Sequence, residues 1–202
     1  MRVGVFGGTF DPVHLGHLIL AEQCREQAEL DEIWFVPAAR PPHKLERALT
    51  PFPQRLEMLS LAVAGHPAFR IDDLEKNRPG PSYTVDTLEE LHQRCPDTEW
   101  SLILGSDSLP DLPRWREPAR IVALAELLIV ARPDWPTPSA EELRAALGLP
   151  SEAPLRSRLV AAPLIGISSH DLRRRVHDGR SIRYLVPRAV ECYIDNHGLY
   201  KT

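Results

Sequence analysis

The chain has 202 residues, enough for one compact domain with a substantial core and short for two. Its 24 Lys and Arg against 28 Asp and Glu leave a formal charge of -4, which argues against a general nucleic-acid binder but leaves room for a local cluster around a small anion. The three cysteines, Cys24, Cys95 and Cys192, are far apart and never spaced C-x-x-C, so neither a disulfide framework nor a zinc site is expected, and a cytoplasmic location is.

Val3, Val5 and Phe6 form a β-prone run that Gly7-Gly8 is expected to end, and helical spacing follows over about 15–28. Ile33-Trp34-Phe35-Val36 reads as a second strand stopped by Pro37, and the Pro-rich tract up to Pro53 as a long functional loop. The spacing then predicts a helix over 56–64, a strand over 69–74, a helix over 84–94 and a buried strand over 100–104 that ends at Gly105. A strand over 127–131, a helix over 140–147, a strand over 158–160 and a helix over 169–177 follow. A last helix runs from about 187 to 196, with Pro near its start and Gly198 past its end. The tract 132–154 carries five prolines, yet regular signals resume beyond it, so it reads as a surface excursion within the domain. The apolar stretch 1–6 is too short for a signal-peptide core, and 124–131 contains Glu126 and falls well below a membrane span. This alternation predicts an α/β fold: a single doubly wound, Rossmann-like domain over residues 1–202, with a parallel sheet and a C-terminal helical segment. Ligands then belong at the C-terminal ends of the strands.

The strongest chemical signal is Gly7-Gly8-Thr9-Phe10-Asp11-Pro12-Val13-His14-Leu15-Gly16-His17, where the first strand hands over to the first helix. Gly7 and Gly8 let backbone approach a ligand, and free amides at a helix N-terminus attract a phosphate. His14 and His17 are three apart, on one side of the first turn, within reach of neighbouring oxygens of one phosphate chain. A His pair at this spacing is more often surface or core decoration, and no third ligand stands nearby for a metal. The Walker pattern and the G-x-G-x-x-G fingerprint are both absent, which argues against a P-loop ATPase or a dehydrogenase. As a whole the stretch resembles the signature of the nucleotidyltransferase superfamily with the (His/Thr)-x-Gly-His motif. That resemblance implies transfer of a nucleotidyl group from a nucleoside triphosphate to a phosphate-like acceptor.

Ile167-Ser168-Ser169-His170-Asp171-Leu172-Arg173 opens a late helix, and either serine could simply cap it. The segment is similar to the superfamily's C-terminal motif Ile-Ser-Ser-Thr-x-Ile-Arg, with His170 and Leu172 in place of Thr and Ile. The resemblance implies triphosphate contacts from Ile167, Ser168, Ser169 and Arg173, so that the helices from about 168 contribute to the nucleotide site. Further markers are Pro41-Pro42-His43-Lys44, Gly80-Pro81-Ser82-Tyr83-Thr84 with Asp86-Thr87-Leu88, Gly105-x-Asp107, Trp115, Arg132-Pro133 and Val186-Pro187. Taken singly, Lys44 could be a solvated charge, Thr84 a helix cap and Trp115 a core residue. Together they resemble the bacterial nicotinate mononucleotide adenylyltransferase branch, with one departure at Asp134, where Gly often follows Arg-Pro.

The resemblance implies AMP transfer from ATP to nicotinic acid mononucleotide, with Mg2+ accompanying the triphosphate. Gly7, Gly8, Thr9, Phe10, His14, His17, Gly105 and Asp107 would join the C-terminal motif around ATP. Thr9, Lys44, Thr84, Trp115, Arg116 and Arg132 would hold the mononucleotide, with Trp115 on the pyridine ring. His14, His17, Lys44 and Arg173 would be catalytic, and no resident metal ligands are expected. Partners are the two small molecules, with no nucleic acid and no membrane, and homo-oligomer formation is left open. The alternatives are a sibling enzyme acting on nicotinamide mononucleotide or phosphopantetheine, and a nucleotide sensor without catalysis.

Overall fold

The computed structural model describes residues 1–42, 49–132 and 135–201. Six strands, β1 (Arg2–Gly8), β2 (Glu32–Pro37), β3 (Phe69–Ile71), β4 (Glu99–Gly105), β5 (Glu126–Val130) and β6 (Ser157–Val160), form one sheet in the order β3-β2-β1-β4-β5-β6. Every neighbouring pair is parallel. Among the described residues, seven α-helices cross over between the strands or follow the last one: α1 (Leu15–Gln27), α2 (Phe52–Val63), α3 (Thr84–Arg94), α4 (Pro118–Leu124), α5 (Ala140–Ala146), α6 (Ser169–His177) and α7 (Arg188–Asn196). The strand order reverses between β1 and β4, and an open α/β sheet binds its ligands outside the carboxyl ends of the strands at that point.

The sheet divides the core by the two-residue period of its strands. Ile33, Phe35, Ile103, Leu128 and Val130 face α1, α2, α6 and α7, whereas Val3, Val5, Trp34, Val36, Leu102, Leu104, Leu127 and Ile129 face α3, α4 and α5. Both faces are covered, so the strands read as nearly continuous apolar runs, as parallel strands do. Gly4 provides clearance within the first layer, since a Cβ there would stand 2.8 Å from the Cδ1 atoms of Ile33 and Leu30.

The departures from sequence expectation have local causes. Gly7-Gly8 does not end β1, which keeps pairing with Val36 and Pro37 through Gly8. β3 stops at Ile71 rather than 74 because the Leu74 amide turns back to donate to the Asp72 carboxylate at 3.0 Å. α2 begins at Phe52, a turn before the predicted start, with Pro53 in its first turn, where its missing N–H is no loss. α4 was not expected at all. Its seven residues follow Glu117, held at φ +51°, and begin at Pro118. Among the described residues no helix is long and apolar enough to cross a membrane.

Candidate active site

The carboxyl ends of β1, β2 and β4 open onto a cleft of about 490 Å³. Gly7, Gly8, Thr9, His17, Thr84, Gly105, Asp107, Trp115, Arg116 and Arg132 all line it. A smaller cavity of about 110 Å³ adjoins it through Thr9 and His17 and is lined by Phe10, Asp11, Leu49, Ser169 and Arg173. Residues from both ends of the sequence are thus brought to one place, a phosphate-sized corner beside a larger trough.

The handover from β1 to α1 is shaped by packing. Phe10 sits at φ +49° with its ring buried among Phe6, Phe35 and His17, so its side chain is a plug in the core. A Cβ on Gly8 would come within 2.9 Å of that ring, whereas one on Gly7 would meet nothing within 4 Å. The glycine at position 7 therefore leaves open space at the mouth of the cleft, and that at position 8 admits the phenylalanine.

His14 is the N-cap residue of α1, with extended backbone, and its amide donates to His17 Nδ1 at 3.2 Å. Accepting at Nδ1 places the proton of a neutral His17 on Nε2, as a hydrogen-bond donor. The two rings stack at 3.6 Å between centroids. His14 is 5% exposed, and its Nδ1 is buried with no hydrogen-bond partner among the described residues. Burial, with the Arg132 guanidinium adding to it, pushes the His14 imidazole down to about 4, so it is neutral at physiological pH. A Cβ at position 16 would stand 3.0 Å from His14 Nδ1, so Gly16 keeps the space beside that nitrogen clear.

The C-terminal segment clamps the same loop. Ser169 Oγ donates to the Pro12 carbonyl at 2.8 Å, Arg173 Nη1 to the Asp11 carbonyl at 2.5 Å, and the Tyr200 hydroxyl to Asp11 Oδ1 at 2.7 Å. Ser168 instead caps α6, accepting the Asp171 amide at 3.1 Å, and lines neither cavity; nor does Ile167. In the larger trough Thr84 is the first residue of α3, and the N-cap is Tyr83, so Thr84 is not the cap. Trp115 is half-buried at the cleft wall rather than enclosed in the core. The Arg116 guanidinium lies 5.0 Å over the Tyr83 ring and 3.5 Å from Asp86. At the end of β4, Asp107 Oδ1 is 3.7 Å from Arg132 Nε, and a Cβ on Gly105 would fall 2.1 Å from that oxygen. Lys44 lies outside the described residues, as do His43, Pro133 and Asp134.

Sequence reasoning missed Asp11, Tyr200 and Arg55 as parts of this site. Asp11 is in the recognised stretch, but the long-range bonds that bury it leave no mark in the sequence. Arg55 looks like any basic residue on an amphipathic helix, yet it is 1% exposed. No group of three or more His, Cys, Asp or Glu able to hold a metal occurs among the described residues. Among the described residues, Asp107 and Asp11 are the carboxylates lining the two cavities, and Asp11 is occupied by Tyr200.

Residues 5–175 match the family model described as cytidylyltransferase-like. The whole chain is similar to two proteins named "Probable nicotinate-nucleotide adenylyltransferase". That of Thermomicrobium roseum is 48% identical over 201 residues, 100% of this chain and 92% of its own. That of Thermus thermophilus is 49% identical over 201 residues, with full coverage of both chains. In three dimensions the chain resembles the Plasmodium falciparum nicotinic acid mononucleotide adenylyltransferase complexed with NaAD, with a TM-score of 0.81 and 21% identity over 99% of this chain and 97% of the other.

Proposed function

The chain belongs to the cytidylyltransferase-like family, in its nicotinate-nucleotide adenylyltransferase branch, and from that premise we propose that it transfers AMP from ATP to nicotinic acid mononucleotide, giving nicotinic acid adenine dinucleotide and pyrophosphate for NAD biosynthesis. The observation that carries this reading is the two-part cleft. A small corner holding His17, Ser169 and Arg173 suits phosphate, and it adjoins a trough walled by Thr84, Trp115 and Arg116 that suits a flat anionic ring.

The acceptor phosphate has a second pKa near 6, so at neutral pH it is mostly dianionic and needs no general base. One of its oxygens attacks the α-phosphorus of ATP in line. The new P–O bond forms as the bond to the bridging α,β-oxygen breaks, and that oxygen leaves on pyrophosphate. Catalysis then consists of alignment and neutralisation of growing negative charge. His17 donates from Nε2 to an α-phosphate oxygen. His14, stacked behind it and neutral, is the second donor, to an adjacent oxygen. Arg173 and Lys44 neutralise the phosphate chain, with Gly7, Gly8, Thr9, Phe10, Ser169, Gly105 and Asp107 completing the ATP site, whereas Ile167 and Ser168, expected there from sequence, stand outside both cavities. Trp115 stacks on the pyridine ring, donors around Thr84 and Arg116 meet the carboxylate, and Thr9, Lys44 and Arg132 hold the rest of the mononucleotide.

Mg2+ is proposed to arrive with the triphosphate and to offset phosphate charge when bound. The donor set fits this way of binding, because among the described residues the cleft offers the exposed carboxylate of Asp107 rather than a cage of hard ligands. Residues 1–202 act as one catalytic domain in the cytoplasm. Three free cysteines, one of them with its thiol pushed up to about 12 by burial, suit a reducing compartment. The partners are the two nucleotides, with no nucleic acid or membrane. The test is pyrophosphate release with ATP and Mg2+ against nicotinic acid mononucleotide, nicotinamide mononucleotide and phosphopantetheine at equal concentration. A strong preference for the first is expected. Turnover with another acceptor alone would overturn the roles of Thr84 and Trp115 while leaving the phosphate corner intact.

A further inference from the structure

The side chain that ties the two parts of the cleft together is one to which sequence reasoning gave no role. Arg55 lies on α2, away from the cleft lining, and is 1% exposed. Its Nη1 donates to the Thr9 carbonyl at 2.7 Å and to the Ala38 carbonyl at 2.9 Å, and its Nε donates to the Thr50 carbonyl at 2.9 Å. These acceptors belong to three separate segments: the loop after β1, the loop after β2 and the approach to α2. Thr9 lines both cavities, Ala38 lines the trough, and Thr50 follows Leu49, which lines the corner.

Burying a guanidinium is costly, and desolvation pulls the pKa of Arg55 down against the opposing charges of the Asp11 and Glu75 carboxylates. None of these acids forms a direct ion pair with it among the described residues. Its charge is instead spent on backbone carbonyls, where the planar fork matters and a hydrocarbon side chain would have filled the volume at lower cost. The segment it holds from one side is held from the other as well. Glu75 Oε2 accepts the Ala39 amide at 3.3 Å, and the Arg40 amide and carbonyl both bond Ser82, two residues before Thr84.

The geometry points to Arg55 as a positioning residue that fixes the distance between the Thr9 loop and the Ala38 loop, and so between the phosphate corner and the acceptor trough. The consequence for turnover rests on the proposed adenylyl transfer; the consequence for the loops does not. A misplacement of about 1 Å between reacting groups costs about 100-fold in rate, so a loosened spacing lowers turnover more than it weakens binding.

The experiment compares wild type with Arg55→Lys, whose donors all sit on one nitrogen and cannot reproduce the spread of Nε and Nη1, at a temperature where circular dichroism shows both folded. Amide hydrogen exchange at Ala38 and Thr50 is expected to quicken at least 10-fold in the variant, with Val5 and Leu102 unchanged. With the mononucleotide as acceptor, kcat is expected to fall 10- to 100-fold with both KM values within threefold. If Arg55→Lys does not fold, Arg55→Ala supplemented with guanidinium replaces it, and recovery of kcat with guanidinium but not methylammonium is the expected result. Uniform loss of protection across the sheet, or kcat within twofold in a folded variant, would overturn the inference. Inactive wild type with loosened loops in the variant would instead defeat the functional reading alone.

Discussion

Two histidines one helical turn apart behave differently because one is buried and the other is at the surface of the cleft. His17, whose Nδ1 is committed to the His14 amide, is left with Nε2 as its donor. His17→Ala is expected to lower kcat about 100- to 1,000-fold, the usual cost of one donor on developing charge, while a titration still finds the mononucleotide bound. His14 behaves as a buried neutral base. Its folded pKa of about 4 lies below the 6.5 of an ordinary histidine, so between those limits the unfolded chain carries a proton that the folded chain does not. Stability is therefore whole above the upper limit and declines as pH falls toward the lower one, by up to about 3 kcal/mol. Urea unfolding of wild type and His14→Asn across that range checks the sign, since the slope should flatten in the variant. Gly8 is fixed by its contact with Phe10, whose ring is itself hemmed in by Phe6, Phe35 and His17. Gly8→Ala should cost about 1–3 kcal/mol by overpacking, visible as a lower melting temperature.

At the scale of elements, strong periodicity and punctuation made the helices and strands legible, and long-range bonds hid the rest. α3, α6 and the interiors of β2 and β4 stand where their spacing placed them. α4 was missed because seven residues opening on Pro118 are too short to display a helical period, and what makes them a helix is the packing of Ile121, Val122 and Leu124 into the core. β3 was overextended because apolar Leu74 continued the pattern past the Asp72 turn. The two serines at the start of α6 are indistinguishable in sequence but not in space, since Ser168 caps the helix and Ser169 reaches the Pro12 carbonyl. Ser168→Ala should therefore lower stability by about 0.5–2 kcal/mol, a cap's ordinary worth, which denaturant unfolding measures directly.

Over the whole molecule, the parallel sheet explains why residues nearly the full chain length apart form one site. The reversal of strand order at β1 and β4 opens a cleft there, and the C-terminal segment folds back so that Ser169 and Arg173 line its smaller cavity while Tyr200 holds Asp11 beside them. The fold and the lining of the cleft were legible because glycine punctuation and motif residues fall at strand ends. Arg55 was not, since its role consists of contacts with three distant carbonyls. The separation of corner from trough predicts separable kinetics. Trp115→Ala should raise KM for the mononucleotide about 10-fold or more, in line with the loss of one aromatic stack, with KM for ATP little changed. The most direct test of the central claim is to run the reaction with ATP, Mg2+ and nicotinic acid mononucleotide whose phosphate oxygens carry oxygen-18, and to weigh both products. The account predicts labelled nicotinic acid adenine dinucleotide and unlabelled pyrophosphate. Label in the pyrophosphate, or free AMP in place of the dinucleotide, would contradict it.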